Sequence, residues 1–517
     1  MIDRTGISRR SFIRTMAMGT ASLALGNCSA GKAESKEDVL KSSNRPNIIF
    51  ITTDEQRWDA LGCAGNKALK TPNLDRMAKE GVHFTRTYCQ GPLCQPSRAS
   101  ILTGRYVHEH GQTWNRFDMK PEWPTMAKQL QANGYHTAVI GKTHFWARPP
   151  ARSYDFRQND FFVRKFGFDD VIEEYDKFLH IISGITTPYT EYLKAKGLYE
   201  IYAKEVPRLR TAKARVRDLW LGKTSNLPQE HHLTSFITNT TVDWLEKYDH
   251  NKPFFLWVSY VMPHPPIIDD PTWAAYYQNK DVPFGPQDKP ALPNNAWGQY
   301  LRSWFKGTEV DLITPDSLTE SIRHYYGMVS LIDQGVGDLR NAVQKLGRED
   351  DTWFFFTSDH GEMLGDHGLM FKNVFYKGSV LVPNVVRIPR GMPGRSVDGL
   401  VQSIDLTATI MDITGSERSK GMRGQSLIPE MKGERNGRTV AFSEMAGHGN
   451  RGNFFVMVAT DRYRYLYDRE NGVHCELFDL KEDPDESHNL VDDPAFKGIR
   501  DDLHKDYYVP FLQGKIG

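Results

Sequence analysis

From Arg45 onward, short apolar runs alternate with amphipathic stretches, and this alternation constrains the fold more than any other feature of the chain. Residues Asn47–Thr53, Thr137–Ile140, Phe254–Val261 and Trp353–Thr357 are largely apolar, the signature of strands buried on both faces. Between them Thr71–Glu80, Glu122–Asn133, His232–Tyr248 and Thr319–Leu346 carry helical periodicity. Strand and helix in turn predict an α/β fold, a doubly wound, mostly parallel sheet flanked by helices, over residues 44–430. The segment Ala151–Gln229 lacks clear periodicity and reads as an insertion packed over the site. Beyond residue 430 the pattern shifts to Thr439–Ser443, Asn453–Ala459, Tyr463–Tyr467 and Glu476–Leu480. These predict a smaller C-terminal subdomain, 431–517, of antiparallel sheet plus a helix over Asp493–Val509.

The residues that follow the predicted strands are chemically unusual. They are Asp54-Glu55, then Gly141-Lys142-Thr143-His144, then Pro263-His264-Pro265, and then Ser358-Asp359-His360-Gly361. Ligands of open α/β sheets bind beyond the carboxyl ends of the strands. One such end is an ordinary polar loop; four carrying acids, His and Lys predict a shared crevice.

The overall charge names no partner. The 65 basic and 64 acidic residues nearly cancel, so no global field points to nucleic acid or a membrane surface. Positive charge for an anionic ligand must therefore be local. Five cysteines, at 28, 63, 89, 94 and 475, are too scattered for a disulfide framework, and their odd number leaves one unpaired. Residues Ser8-Arg9-Arg10-Ser11-Phe12-Ile13-Arg14 precede a short, weakly apolar run, which reads as a twin-arginine export signal with a polar tether over residues 1–35. Cys28 follows Leu25-Gly26-Asn27, so a lipid anchor stands beside simple release, and the expected location is the periplasm or, as a lipoprotein, the outer membrane or cell surface.

Cys94-Gln95-Pro96-Ser97-Arg98 leads into Ala99–Leu102 and Thr103-Gly104-Arg105. Pro in the first turn and Gly two turns on frame a short helix with Cys94 at its amino end, where backbone N–H groups favour an anion. Here the chain resembles the formylglycine-dependent sulfatases of the alkaline phosphatase superfamily, whose signature is Cys-x-Pro-Ser-Arg followed by a helix ending in Thr-Gly-Arg. The resemblance covers nearly the whole chain after the signal. It takes in Asp54-Glu55 with Leu61-Gly62, Gly141-Lys142-Thr143-His144, Pro263-His264-Pro265, Ser358–Glu362 through Gly365–Gly368 with Lys372, and Glu476–Glu486 through Asn489-Leu490. Glu55 stands where the family commonly has Asp, one methylene shorter. His360 stands where many members have Asn and others His.

The resemblance implies a sulfuric ester hydrolase in which Cys94 is converted to formylglycine (3-oxoalanine) by a formylglycine-generating or an anaerobic sulfatase-maturating enzyme. It implies that Asp54, Glu55, Asp359 and His360 hold Ca²⁺ beside residue 94. The acid-rich set suits a hard cation, with Mg²⁺ or another metal left open by the histidine. A hydrated formyl group offers two hydroxyls on one carbon. One attacks sulfur, and the other, once deprotonated, expels sulfate; Ser or unmodified Cys lacks that exit. Arg98 is implied to orient the formylglycine, Lys142 and Lys372 to bind sulfate oxygens, His144 to act as base, and His264 as acid on the leaving group. An exported sulfatase with an aromatic-rich insertion points to a sulfated polysaccharide or oligosaccharide. Two competing readings are a phosphonate or phosphate ester hydrolase of the same superfamily and a non-catalytic sulfated-glycan-binding lipoprotein. Weaker candidates are His108-Glu109-His110, His231-His232 and the indoles of Trp114, Trp146 and Trp297, each of which is as readily packing or surface as ligand-facing.

Overall fold

All eight residues of strand β1 (Asn47–Asp54) are buried, as expected for a strand packed on both faces. The computed structural model describes residues 45–146, 155–158, 160–177, 184–206, 215–289, 292–447 and 452–517. The export signal, the tether and Cys28 lie outside the described residues. After β1 come β2 (Gly81–Tyr88), β3 (His136–Lys142), β4 (Asp170–Glu174), β5 (Lys223–Thr224), β6 (Phe254–Pro263), β7 (Ile268–Asp269), β8 (Thr352–Ser358), β9 (Leu381–Val382), β10 (Asn384–Arg387) and β11 (Arg395–Gln402). Strands β5 and β7 pair with each other; the rest form one sheet in the order β11-β2-β10-β8-β1-β6-β3-β4, with β9 on β2. Pairing is parallel except where β10 meets β8 and β2 and where β9 meets β2. The expected mixed, mostly parallel α/β sheet is present.

Alternate residues of β1 feed different cores. Ile49 and Ile51 pack on one side of the sheet, towards the helices Leu233–Glu246 and Pro315–Lys345. Ile48 and Phe50 pack on the other, with residues of Cys94–Thr103, Met126–Ala132 and Ser403–Thr414. Each such side chain, fully buried, contributes roughly 1.5–3 kcal/mol. The four expected helices form with shifted ends. Thr314 caps the longest by accepting from the Ser317 amide, with Pro at the first position, so it begins at Pro315. Thr125 caps another by accepting from the Lys128 amide, which starts that helix at Met126 instead of Glu122.

The segment expected to be an insertion is in part structural. Five of its residues, Asp170–Glu174, are β4, the edge of the main sheet beside β3. Three of the five are acidic, and its outer half is only part-buried, so it lacks the apolar run that marks the central strands.

The C-terminal sheet consists of β12 (Val440–Ala446), β13 (Phe454–Thr460), β14 (Tyr463–Asp468) and β15 (Val473–Asp479), paired antiparallel in chain order. The expected helix over Asp493–Val509 is present: a 3₁₀ turn, Pro494–Phe496, leads into one unbroken helical run, Lys497–Leu503, His504–Tyr508 and Val509–Leu512, whose middle segment is wound as a π-helix. Polar contacts bind this sheet to the main body: the Trp297 indole and the Tyr376 hydroxyl both donate to Glu476, at 2.7 and 2.9 Å. Arg464, itself buried, bridges Glu476 and Glu486. Among the described residues no helix is long and apolar enough to cross a membrane.

Candidate active site

Strand register brings the chemistry together. On β1, Thr53 is level with Ser358 of β8, and Asp54 with Pro263 of β6. Ser259 of β6 is level with Gly141 of β3. The residues just past these positions, Asp54-Glu55, Asp359-His360, His264 and Lys142, therefore emerge at one edge. Gly141 is required there. Its φ is +106°, and a Cβ would lie 1.9 Å from the Ser259 carbonyl oxygen, a distance no side chain tolerates.

Cys94 opens the helix Cys94–Thr103, every residue of which is buried. Gly104 ends it in the left-handed conformation with φ 67°. The Cys94 sulfur lies 3.1 Å from His360 Nε2 and 3.5 Å from Asp54 Oδ1. Burial, reinforced by the Asp54 charge, pushes the thiol up to about 12. The unmodified side chain is thus a protonated thiol at neutral pH, since the thiolate is the nucleophilic form.

Arg98 lies one turn along and is fully buried. Its Nε donates to Asp359 Oδ2 at 2.8 Å, and Nη1 donates to the Lys142 carbonyl at 2.7 Å and Ser259 Oγ at 2.8 Å. Nη2 is 3.6 Å from Asp54 Oδ2. One guanidinium therefore ties the ends of β1, β3, β6 and β8 together. Ser97, next to it, donates from Oγ to the Asp359 carbonyl. The Asp359 carboxylate also accepts from the amides of Glu55 and His360, at 3.1 and 2.9 Å.

The two lysines sit on acids. Lys142 pairs with Asp54 and Lys372 with Glu55. Burial alone would raise Asp54, but the charges of Lys142 and Arg98 hold its carboxyl well below the usual range. Glu55 behaves oppositely: burial and the adjacent Glu362 carboxylate push it well up, against the pull of Lys372. Glu55 has φ 69°, an uncommon backbone state outside glycine. The Tyr325 hydroxyl holds its carbonyl at 2.7 Å.

The two site histidines are neutral. Burial, then Lys142 and Arg98, hold His144 well below the usual imidazole value. Burial and Lys372 do the same for His264. His264 directs Nδ1 at the Pro265 carbonyl, 2.5 Å away, and Nε2 towards Glu55 Oε2 at 3.5 Å. His264 and Lys372 line a cavity of about 400 Å³ together with Trp304 and Phe371.

Four groups fit a metal. Ligand atoms of Asp54, Cys94, Asp359 and His360 all lie within 4.8 Å of one another. His360 Nδ1 donates to the Gly361 carbonyl at 2.9 Å, which leaves the Nε2 lone pair for a ligand, the usual arrangement of a metal-binding histidine. Glu55 is not in this set; its carboxylate groups with Asp54 and His264 instead. Arg98, Lys142 and Lys372 pair with Asp359, Asp54 and Glu55, so a divalent cation adds positive charge of the kind an anionic ligand requires.

The weaker candidates lie elsewhere or in packing. His108 bonds Glu444 at 2.8 Å, Glu109 pairs with Arg423, and His110 bonds Ser100 at 2.9 Å. Tyr192 meets His231, and His232 is buried. Trp114, Trp146 and Trp297 are buried, so none presents a sugar platform. The cysteines 63, 89, 94 and 475 are free. Two residues near the site carried no sequence signal. Ser259 is the acceptor for Arg98, and Lys177 is buried with Nζ donating to the Pro266 carbonyl at 2.8 Å. Burial holds Lys177 well below the usual lysine value.

Comparison with known proteins decides the family. The sulfatase family model matches residues 46–416. The chain belongs to the sulfatase family. A second match, to the C-terminal region of N-sulphoglucosamine sulphohydrolase, spans residues 365–509. This sulfatase is 29% identical over 497 residues to an arylsulfatase of Clostridium perfringens, covering 91% of this chain and 95% of the relative. It is 27% identical over 499 residues to an N-acetylglucosamine-6-O-sulfatase of Bacteroides thetaiotaomicron, covering 92% and 87%. Among solved structures, a phosphonate monoester hydrolase of Agrobacterium radiobacter superposes with a TM-score of 0.72 at 25% identity, covering 91% of this chain and 96% of that one. The sulfatase is a sulfuric ester hydrolase of the alkaline phosphatase superfamily.

Proposed function

We propose that this sulfatase is exported and hydrolyses sulfate esters of a polysaccharide or oligosaccharide, using formylglycine made from Cys94 and a Ca²⁺ ion. The observation that carries the reading is the placement of Cys94 Sγ within 4.8 Å of the ligand atoms of Asp54, Asp359 and His360. The formylglycine hydrate supplies two hydroxyls on one carbon, one to attack sulfur and one whose deprotonation expels sulfate. Ca²⁺ held by Asp54, Asp359 and His360, with Glu55 beside them, supplies charge stabilisation. Lys142 and Lys372 bind the sulfate oxygens. His264 gives a proton from Nε2 to the bridging oxygen; the incoming sulfate charge favours the imidazolium that burial and Lys372 disfavour. His144 takes the proton of the second hydroxyl.

The carbohydrate assignment draws on the N-acetylglucosamine-6-O-sulfatase relative. A panel of sulfated glycans assayed for released sulfate tests it; release from none, with an aryl sulfate turned over, rejects the glycan assignment. A second reading, a phosphonate or phosphate ester hydrolase, is favoured by the phosphonate monoester hydrolase structure. Relative turnover of an aryl sulfate and an aryl phosphonate decides between them. Export follows from the twin-arginine pattern at Arg9-Arg10. That route carries folded proteins, so the maturating enzyme acts in the cytoplasm; Cys28 is where a lipid anchor would attach, with simple release as the alternative. Formylglycine found only in exported material contradicts that order.

A further inference from the structure

Edge strand β4 ends beside the segment that carries His144. His144 has φ 55°, a backbone state that a non-glycine residue keeps only when its surroundings impose it. Glu173 provides that restraint. Its Oε1 accepts from Thr143 Oγ1, immediately before His144, and from Trp146 Nε1 at 3.0 Å, two residues after it. Glu173 is level with Gly141 in the parallel pairing of β4 with β3, so its side chain reaches the turn directly. Tyr175, on the same face of the chain two residues on, sets its ring edge-on to the His144 ring, 5.3 Å between centroids at 66°.

The carboxylate is costly here. Glu173 is 1% exposed, and its second oxygen, Oε2, has no hydrogen-bond partner among the described residues. Burying a carboxylate is unfavourable unless it is paired and bonded, and an apolar side chain would fill the edge of a sheet without that penalty. What the carboxylate adds is one acceptor shared by the two residues that bracket His144.

We propose that Glu173 is a positioning residue for His144, clamping Thr143 and Trp146 and so fixing the turn that sets the direction of the imidazole. The inference rests on His144 acting as the base in the reaction proposed above. The clamp touches no reacting atom, so it affects turnover and not substrate affinity.

The test compares Glu173→Ala, Glu173→Gln, Thr143→Val and His144→Ala in steady-state assays on an aryl sulfate. Amide hydrogen exchange of the peptide spanning residues 141–146 is followed in parallel, in the precursor with unmodified Cys94. Glu173→Ala is expected to lower kcat by about 10²-fold, the cost of a misplaced catalytic group, to lower KM along with it because release of sulfate from residue 94 becomes rate-limiting, and to speed exchange in the peptide. Glu173→Gln keeps the accepting oxygen and should restore most of kcat and the slow exchange. Thr143→Val removes one of the two donors and should fall between. If His144→Ala cripples turnover while Glu173→Ala leaves kcat unchanged, the clamp is rejected and the role of His144 stands. If His144→Ala itself turns over normally, the underlying reading fails. A Gln variant as slow as the Ala variant, with slow exchange in both, would show that Glu173 acts by charge and overturn the clamp.

Discussion

His360 Nε2 stands 3.1 Å from Cys94 Sγ, while Nδ1 of the same ring is committed to the Gly361 carbonyl at 2.9 Å. The ring orientation is thus fixed by a backbone acceptor, and its free lone pair points at residue 94 together with Asp54 and Asp359. Without a cation the ion-pair partners of these carboxylates are Arg98 and Lys142. Added Ca²⁺ should therefore raise the melting temperature, by the equivalent of about 2.7 kcal/mol at one hundred times its Kd. Asp359→Asn and Asp54→Asn should abolish both turnover and the Ca²⁺-dependent rise. Full activity in either variant removes the metal assignment. Because Glu55 bonds Lys372 and lies outside the four-residue set, Glu55→Asp should retain more activity than Glu55→Ala.

Oxidation of Cys94 is directly measurable. The peptide containing residue 94 should be about 18 Da lighter than its unmodified form in active enzyme, the change from thiol to aldehyde. Burial raises this thiol to about 12, so the unmodified chain has almost no thiolate at pH 7 and should be inactive. An active preparation in which residue 94 retains its thiol sinks this prediction.

Much of this site was legible before the fold was known, because its residues follow strands whose apolar runs are unbroken. Asp54, His264 and Asp359 each sit at or just after a strand with every residue buried, and parallel register does the rest. The exact role of Glu55 was not legible. Its neighbours Glu362 and Lys372 come from a loop whose path depends on tertiary packing, with φ of 68° at Phe371 and Asn373. Strand β4 was missed for a related reason: an acidic edge strand of five residues lacks both the length and the apolar run that mark its central neighbours. Glu173 and Lys177 went unnoticed with it. The aromatic residues misled in the other direction, since Trp146 and Trp297 each donate to a buried glutamate and serve packing.

His110 should make the sulfatase acid-sensitive. Its Nδ1 accepts from the Gln112 amide at 3.0 Å and its Nε2 faces Ser100 Oγ at 2.9 Å, a geometry that fits only the neutral ring. Burial, with His108 and Arg105 nearby, lowers it from 6.5 to about 3. The unfolded chain binds the proton first, so this contribution is intact above pH 6.5 and is lost as pH falls towards 3. The slope from one such group is about 1.4 kcal/mol per pH unit. Urea midpoints measured between pH 6.5 and 4 should fall less steeply in His110→Gln than in the parent. An unchanged slope rejects the assignment, even if the variant is less stable at pH 7.

The two histidines of the site can be separated by the leaving group. His264 and Lys372 line the same cavity, and Glu55 Oε2 lies 3.5 Å from His264 Nε2, placing that nitrogen among the charged groups of the site. A sugar alkoxide is a poor leaving group and needs a proton, help worth roughly 10²–10⁴-fold. An activated aryl sulfate leaves as a stabilised phenolate and needs it far less. Hence His264→Ala should cripple hydrolysis of a sugar sulfate and largely spare an activated aryl sulfate. His144 follows Lys142 and packs against Tyr175; in the proposed reaction it takes its proton once the leaving group has gone. His144→Ala should slow both substrates alike and leave sulfate on the residue-94 peptide, detectable by mass. Equal losses on both substrates for His264→Ala, with sulfate retained on that peptide, would reverse the two roles.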